Sequence, residues 1–270
     1  MSEIEEVLQR FSFSKLSTAN NCILEYITHY ILGYESVENS YAQYGKWIHS
    51  LLDRWAKGLL EIYDLATEYE NGYGDNVTEP FPRLRNGLDS SQKYYDEGYE
   101  FLSTFEGVGD EYEIVAAEEK FEIQIEDFIF NGVIDLILKD KDGNYAILDW
   151  KSKDGFKSDE EEAEYRRQLY LYSYYINAQY GSFPIKTIFY CFRKQGKIEK
   201  LFDIDAYNEA LKWMFDTVKK IRQIYMSYEY FYCHTLCNFR LDCQLKKEVE
   251  SNKCLRDYIK KEKKSQALTN

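Results

Sequence analysis

Apolar residues recur at helical spacing in the first part of the chain and at strict alternation further on. From Leu16 to Tyr30, and again from about Tyr41 to Tyr63, they return every three to four positions. This predicts two amphipathic helices, the first with Ser14 as its candidate N-cap. Between Glu70 and Gly87 fall three glycines, two of the three prolines and few periodic apolar positions, so a long surface loop is expected there. A third helix is expected from roughly Asp89 to Glu106. Beyond Tyr112 the segments Glu113 to Ile125, Phe128 to Lys139 and Asn144 to Trp150 alternate, and read as three antiparallel strands with turns at Glu126-Asp127 and Asp140 to Gly143. A helix from about Glu160 to Tyr180 follows, then strands near Ile185 to Arg193 and Lys197 to Asp203 around a Gln195-Gly196 turn, then a helix from Tyr207 to about Tyr228. There is no internal repeat and no low-complexity tract. The expectation is one α/β domain over 1–270, mostly helical in 1–110, with a mixed core in 111–230 and a cysteine-bearing segment in 231–270 that ends in a basic run.

The composition supports a large core: 44% of the 270 residues are hydrophobic. The longest apolar runs, such as Tyr145 to Leu148 and Ile188 to Phe192, fall far short of the roughly 20 residues of a membrane helix. The start, MSEIEEVLQR, lacks a basic-then-apolar signal pattern. A soluble, cytoplasmic protein with no membrane contact is therefore expected. The net charge of −13 gives no global attraction to phosphate, so any nucleic-acid contact has to come from a local basic patch or from bound cations. With 26 Tyr and 16 Phe, aromatic side chains can fill a core and also offer stacking surfaces to unpaired bases.

Candidate chemistry concentrates in Gly132-Val-Ile-Asp135 and Ala146-Ile-Leu-Asp149-Trp-Lys151. Asp135 interrupts an apolar strand segment, and Asp149 and Lys151, two apart on a strand, share a face. An isolated Asp-x-Lys on an edge strand is commonly only a surface ion pair. Here it has a hairpin partner bearing Asp135 and a histidine, His49, upstream. Two carboxylates from neighbouring strands form a hard oxygen site suited to Mg²⁺ or Mn²⁺, and a lysine beside them can hold an attacking water or offset charge developing on phosphate.

These residues, in this order, resemble the PD-(D/E)XK nuclease superfamily, specifically its RecB-like branch, which includes CRISPR-associated RecB-like and phage exonucleases. The likeness extends from near Ser12 to about Cys243. It opens on Phe11-Ser12-Phe13-Ser14-Lys15-Leu16, followed by Asn21-Cys22, Tyr26 and Tyr30. Tyr44-Gly45-Lys46-Trp47-Ile48-His49 is similar to the family's Gly-x-x-x-His, Glu118-Glu119-Lys120-Phe121 to a glutamate before an aromatic strand residue, and Gln168-Leu-Tyr-Leu-Tyr172 to its Gln-x-x-x-Tyr. The resemblance implies a restriction-endonuclease-like α/β core, a central mixed sheet flanked by helices. It implies that His49, Asp135 and Asp149, with the Trp150 carbonyl, hold Mg²⁺ or Mn²⁺. Lys151 would position water or stabilise the phosphorane, Gln168 and Tyr172 would orient Lys151 or the scissile strand, and Glu118, favoured over Glu119 by its spacing from Phe121, would join the catalytic group. Arg166, Arg167, Lys153 and Lys157 are candidate phosphate contacts.

Six cysteines occur, and clustering of this kind in an intracellular chain suggests metal ligation before disulfides. Many RecB-like nucleases hold a [4Fe-4S] cluster with one early and three late cysteines, which the resemblance carries to Cys22, Cys233, Cys237 and Cys243. The match is incomplete. The family's usual C-x2-C would put a ligand at His234, Ile23 stands in place of the usual proline, and Cys254 offers an alternative. Zn²⁺ or plain reduced thiols remain open for the same set. Cys191, inside an apolar strand, is expected in the core. The activity implied is metal-dependent hydrolysis of DNA, as an exonuclease on single-stranded or frayed ends. The alternatives are a non-catalytic binder and a subunit working beside a helicase or integrase-like partner in recombination, repair or a CRISPR-type complex.

Overall fold

The alternation and the helical periodicity both become elements in the computed structural model of the chain, which describes residues 8–31, 33–83, 89–194 and 196–224. Packing divides these into two compact units. The smaller comprises the described parts of Met1–Val37 and Lys212–Asn270 together with Gln124–Asn131, and the larger comprises Glu38–Ile123 and Gly132–Leu211.

In the smaller unit, strand β1 (Arg10–Phe11) pairs in parallel with Ile129 and Phe130. Helix α1 (Phe13–Asn21) follows at once, and its N-cap is Ser12 rather than Ser14: Ser12 has extended backbone and its side chain accepts a hydrogen bond from Lys15 N at 3.3 Å. The continuous helix expected to Tyr30 is broken at Cys22, whose backbone is extended. The chain resumes as a short α2 (Ile23–Tyr26) and a π-helical turn, Ile27–Ile31. Phe11 packs edge-on to Phe128, Phe128 to Phe215 and Phe13 against Trp213, while Arg222 bonds Asp127 at 2.7 Å and the Leu8 carbonyl at 3.3 Å.

The larger unit begins with α3 (Ser40–Ala56), which stops well before Tyr63. Helix α4 (Leu65–Asn76) then occupies the first half of the expected long loop. The glycine that argued for a loop serves packing instead. A side chain at Gly72 would collide with the Trp47 indole, which lies against it and donates to the Tyr69 carbonyl at 3.2 Å, while Leu65 and Tyr69 are fully buried. Tertiary contact here overrides a weak local signal. Helix α5 (Ser91–Ser103) is shorter than expected at both ends.

Strands β2 (Tyr112–Ile125), β3 (Phe128–Asp140) and β4 (Tyr145–Lys151) come next, then helix α6 (Asp159–Tyr180), strands β5 (Lys186–Cys191) and β6 (Gly196–Leu201), and helix α7, Ile204–Ile224 within the described residues. The sheet runs β3-β4-β5-β6 with β2 on β3, and it is mixed: β3–β4 and β5–β6 are antiparallel, β4–β5 parallel. The parallel pair is bridged by α6, as a crossover requires. One core joins Tyr44, Ile48 and Leu52 of α3 and Tyr69 of α4 to Leu136, Leu148, Trp150 and Ile188 of the sheet. Gln195 and everything after Ile224 lie outside the described residues, including the end of the last predicted helix.

Candidate active site

The register Leu136↔Leu148 between β3 and β4 sets the centre. One step further along each strand come Asp135 and Asp149, and opposed positions on antiparallel strands point to one face. Asp149 is only 5% exposed and the Asp135 side chain 14%. Here the Asp135 side chain takes the place of a strand acceptor, with its Oδ2 accepting from the Trp150 amide at 2.8 Å. Trp150 points to the opposite face and packs in the core beside Phe105 and Tyr190. Lys151, two residues after Asp149, shares that residue's face, and its Nζ lies 2.6 Å from Asp149 Oδ2. This is an ion-pair contact without the angles of a hydrogen bond, so Oδ2 has no hydrogen bond of its own. Helix α6 supplies the next layer. Gln168 Oε1 accepts from Lys151 Nζ at 3.3 Å, and its Nε2 donates to Tyr172 Oη at 3.1 Å, the i,i+4 spacing placing both on one helical face.

His49 enters from α3, with Nδ1 3.6 Å from Asp135 Oδ2. Gly45, one turn earlier, lets the helix approach: a side chain there would press on Ser152 Oγ at 3.1 Å. Burial lowers the His49 pKa to about 4, outweighing the pull of Asp149, so near neutral pH the imidazole is uncharged and has a lone pair to offer. Asp135 moves the other way. Burial first, and then the charge of Asp149, raise its pKa well above the ordinary aspartate value, against the opposing Trp150 amide and Lys151. Glu118 has a left-handed backbone, φ +51°, and lines a cleft together with His49. Glu119 is instead bonded to Tyr175 Oη at 2.8 Å.

Two positioning features lie outside the predicted set. Gly132 has no Cβ because one would meet the rings of Tyr172 and Phe121 at 2.8 and 2.9 Å, so a glycine there lets Tyr172 reach the site. The only sequence signal was a glycine inside an apolar strand, which marks close approach. The second is the covering of Lys151 by aromatic rings, Tyr165 and Phe189, at 5.5 and 5.6 Å.

Of the basic residues considered for phosphate, Arg166 is corrected. It is 2% exposed, and its guanidinium is committed to Glu162 and to Thr187. Lys153 pairs with Glu161 at 2.6 Å, and Lys157 is exposed. Cys22 is buried and its Sγ accepts from Glu25 N at 3.4 Å; Cys233, Cys237, Cys243 and Cys254 lie outside the described residues. Cys191 is buried, which pushes its thiol up to about 11. Among the described residues, no three His, Cys, Asp or Glu side chains stand close enough together to enclose an ion, and no helix is long and apolar enough to cross a membrane. In kind, however, the donors fit a hard divalent cation: a neutral imidazole and two carboxylates facing a single ammonium, one of them buried with an oxygen lacking a hydrogen bond.

Comparisons with known proteins bear on the family and the fold. The family model of the PD-(D/E)XK nuclease superfamily matches residues 10–244. A crystal structure from Eubacterium rectale, named "Putative exonuclease", superposes with a TM-score of 0.54 at 11% identity, covering 89% of this chain and 90% of that one, and shows a shared fold. The structure of SSO0001 overlaps at 14% identity over 85% of this chain and 97% of its own, with a TM-score of 0.32, too low to carry weight. No curated protein matches the chain.

Proposed function

The chain belongs to the PD-(D/E)XK nuclease superfamily, and from that premise we propose that it is a Mg²⁺- or Mn²⁺-dependent deoxyribonuclease, acting as an exonuclease on single-stranded or frayed ends. The observation that carries the reading is the placing of Asp135 and Asp149 opposite each other, buried, with Lys151 held between Asp149 and Gln168. His49, Asp135 and Asp149, with the Trp150 carbonyl, would hold the ion, which when bound supplies Lewis acidity toward a phosphate oxygen and lowers the pKa of water.

The chain's own groups do the rest. Lys151 presents an ammonium beside the carboxylates, where it offsets charge developing on the phosphate in a poorly solvated setting. Gln168 fixes that ammonium by accepting from it, and Tyr172 fixes Gln168 by accepting from its amide. His49, uncharged near neutral pH, presents a nitrogen lone pair rather than a competing positive charge. Glu118 adds a further carboxylate at the edge of the site.

The test is cleavage of end-labelled single- and double-stranded DNA in Mg²⁺, Mn²⁺ or EDTA. Metal-dependent shortening from the ends, lost in Asp149→Ala and Lys151→Ala, is the expected result. No cleavage of any substrate by folded wild type would turn the reading toward a partner-dependent or binding role.

A further inference from the structure

The cleft beside His49 has a volume of about 510 Å³ and follows one face of α3, on which Tyr41, Gly45, His49 and Asp53 succeed one another at i,i+4 steps. Its two ends differ in charge. Toward Asp53 it is acidic, whereas toward the start of α3 it offers Lys46 and the ring of Tyr41. A phosphodiester strand leaving the centre is repelled at the first end and attracted at the second. Tyr41 lies two helical steps from His49, about 12 Å along the axis at 1.5 Å per residue.

Tyr41 is built as a fixed, open ring. It is 38% exposed, yet Phe81 and Tyr94 pack steeply inclined against it at centroid distances of 5.3 and 5.1 Å. The segment carrying Phe81 is itself tied to α3, because Gln43 Oε1 accepts from the amides of Thr78 and Glu79 at 3.0 and 2.8 Å. A part-exposed aromatic already held by two neighbouring rings loses little entropy on stacking, and any base has a face to offer it. Lys46 is paired with Glu38, but its side chain is 74% exposed, so the pair is weak and its ammonium can exchange onto a phosphate.

We propose that this end of the cleft is a binding subsite for one unpaired nucleotide flanking the scissile phosphate, with its base stacked on Tyr41 and its phosphate on Lys46. The proposal rests on the nuclease reading for its substrate and deepens it. A base must be free of its complement to stack there, so the subsite selects single-stranded or frayed DNA over paired DNA.

The experiment measures binding without cleavage, in EDTA, using single-stranded oligonucleotides that carry 2-aminopurine at successive positions from one end. Wild type should quench one position more than its neighbours. Tyr41→Ala should lose that quench and bind about tenfold more weakly, and Tyr41→Trp should keep both. Lys46→Gln should weaken binding and lower the salt slope by about 1. An abasic nucleotide at the quenched position should make wild type and Tyr41→Ala bind alike, a result that a merely structural tyrosine would not give. Unchanged affinity and quenching in Tyr41→Ala, or equal weakening on blunt duplex, would overturn the subsite while leaving metal-dependent cleavage intact. Wild type that stacks the base but cleaves nothing in Mg²⁺ or Mn²⁺ would uphold the subsite and remove the catalytic reading.

Discussion

Helix α6 borders two buried charged clusters, and they are built on opposite principles. Around Arg166 the buried carboxylate is fully answered, and the guanidinium is hydrogen-bonded throughout. Its Nε and Nη2 bond Glu162 Oε1 at 3.0 and 2.5 Å, its Nη1 bonds the Thr187 carbonyl and hydroxyl at 2.7 Å each, and Lys200 adds a second cation 3.0 Å from Glu162. Burial opposes ionisation of Glu162, but the hydrogen bonds from Lys200 and Arg166 win and hold its carboxyl below the ordinary range. Around Asp135 the accounts stay open: two carboxylates face one ammonium and a neutral imidazole, and Asp135 is pushed up. The closed cluster holds α6 to the sheet. The open one costs the fold stability, and under the proposed reading its uncompensated charge is what would attract a cation, so that the chemistry is expected there.

The sharpest way to break this contrast is to substitute the open cluster. Asp149→Ala should lower cleavage by at least about 10³-fold, comparable with loss of a principal transition-state stabiliser, with little change in melting temperature. Asp135→Asn, which keeps an acceptor for the Trp150 amide, should equally abolish cleavage and yet stabilise the metal-free protein by about 1 kcal/mol. Paired measurements of activity and of thermal unfolding in EDTA decide it. A large loss of stability in Asp135→Asn would mean that this cluster is structural too.

The closed cluster should respond in the reverse sense. Arg166→Met leaves Glu162 with only the part-exposed Lys200 and should cost about 3 kcal/mol of stability by denaturant unfolding, while the protein that remains folded keeps its kcat. A collapse of kcat in folded Arg166→Met would give the arginine a part in the reaction. Acid titration provides a gentler probe. A carboxyl whose folded pKa is lowered contributes stability that is present above the unfolded value and lost as the pH falls through the folded one. The melting-temperature gap between wild type and Glu162→Gln should therefore be widest above the ordinary glutamate value of about 4.3 and shrink below it. A gap that does not change with pH would show that the carboxylate charge is not what the arginine uses.

Only one of the two clusters could be read from the sequence. Asp135 and Asp149 stood out because a carboxylate inside an apolar strand is costly, and Lys151 followed from the two-residue period of a strand; His49 needed the family resemblance to be singled out. Arg166 was a candidate phosphate contact in the sequence, because its burial depends on Thr187 and on the Ile198 carbonyl, 3.4 Å from Nη2, both distant in sequence. The same blindness to tertiary contact turned Gly72 into a loop signal when it makes room for Trp47, and hid Gly132, which makes room for Tyr172. The α/β class and the succession of elements along the chain were legible from period, while the restriction-endonuclease-like core was implied only by the family resemblance. The cap at Ser12 and the break at Cys22 were not, since adjacent serines offer equal caps on paper and the sequence carries no proline or glycine at the break.

The smallest effect is expected at the outer edge of the open cluster, and it tests whether Gln168 acts through Lys151. The amide of Gln168 can be rotated by half a turn at little cost unless something distinguishes its two ends. Lys151, a donor only, selects Oε1, and Tyr172 Oη adds to that bias by accepting from Nε2 and anchoring the amide's other end. Tyr172→Phe removes that anchor while keeping the ring packed on Phe121 at 5.2 Å. The loss of one neutral hydrogen bond, about 1 kcal/mol, should lower kcat roughly fivefold and leave KM unchanged. Gln168→Ala should cost more, and Tyr172→Phe made in that background should cost nothing further, because the hydroxyl would have no amide left to orient. Additive losses would mean that Tyr172 contacts the substrate strand directly, placing it in the open cluster rather than behind it.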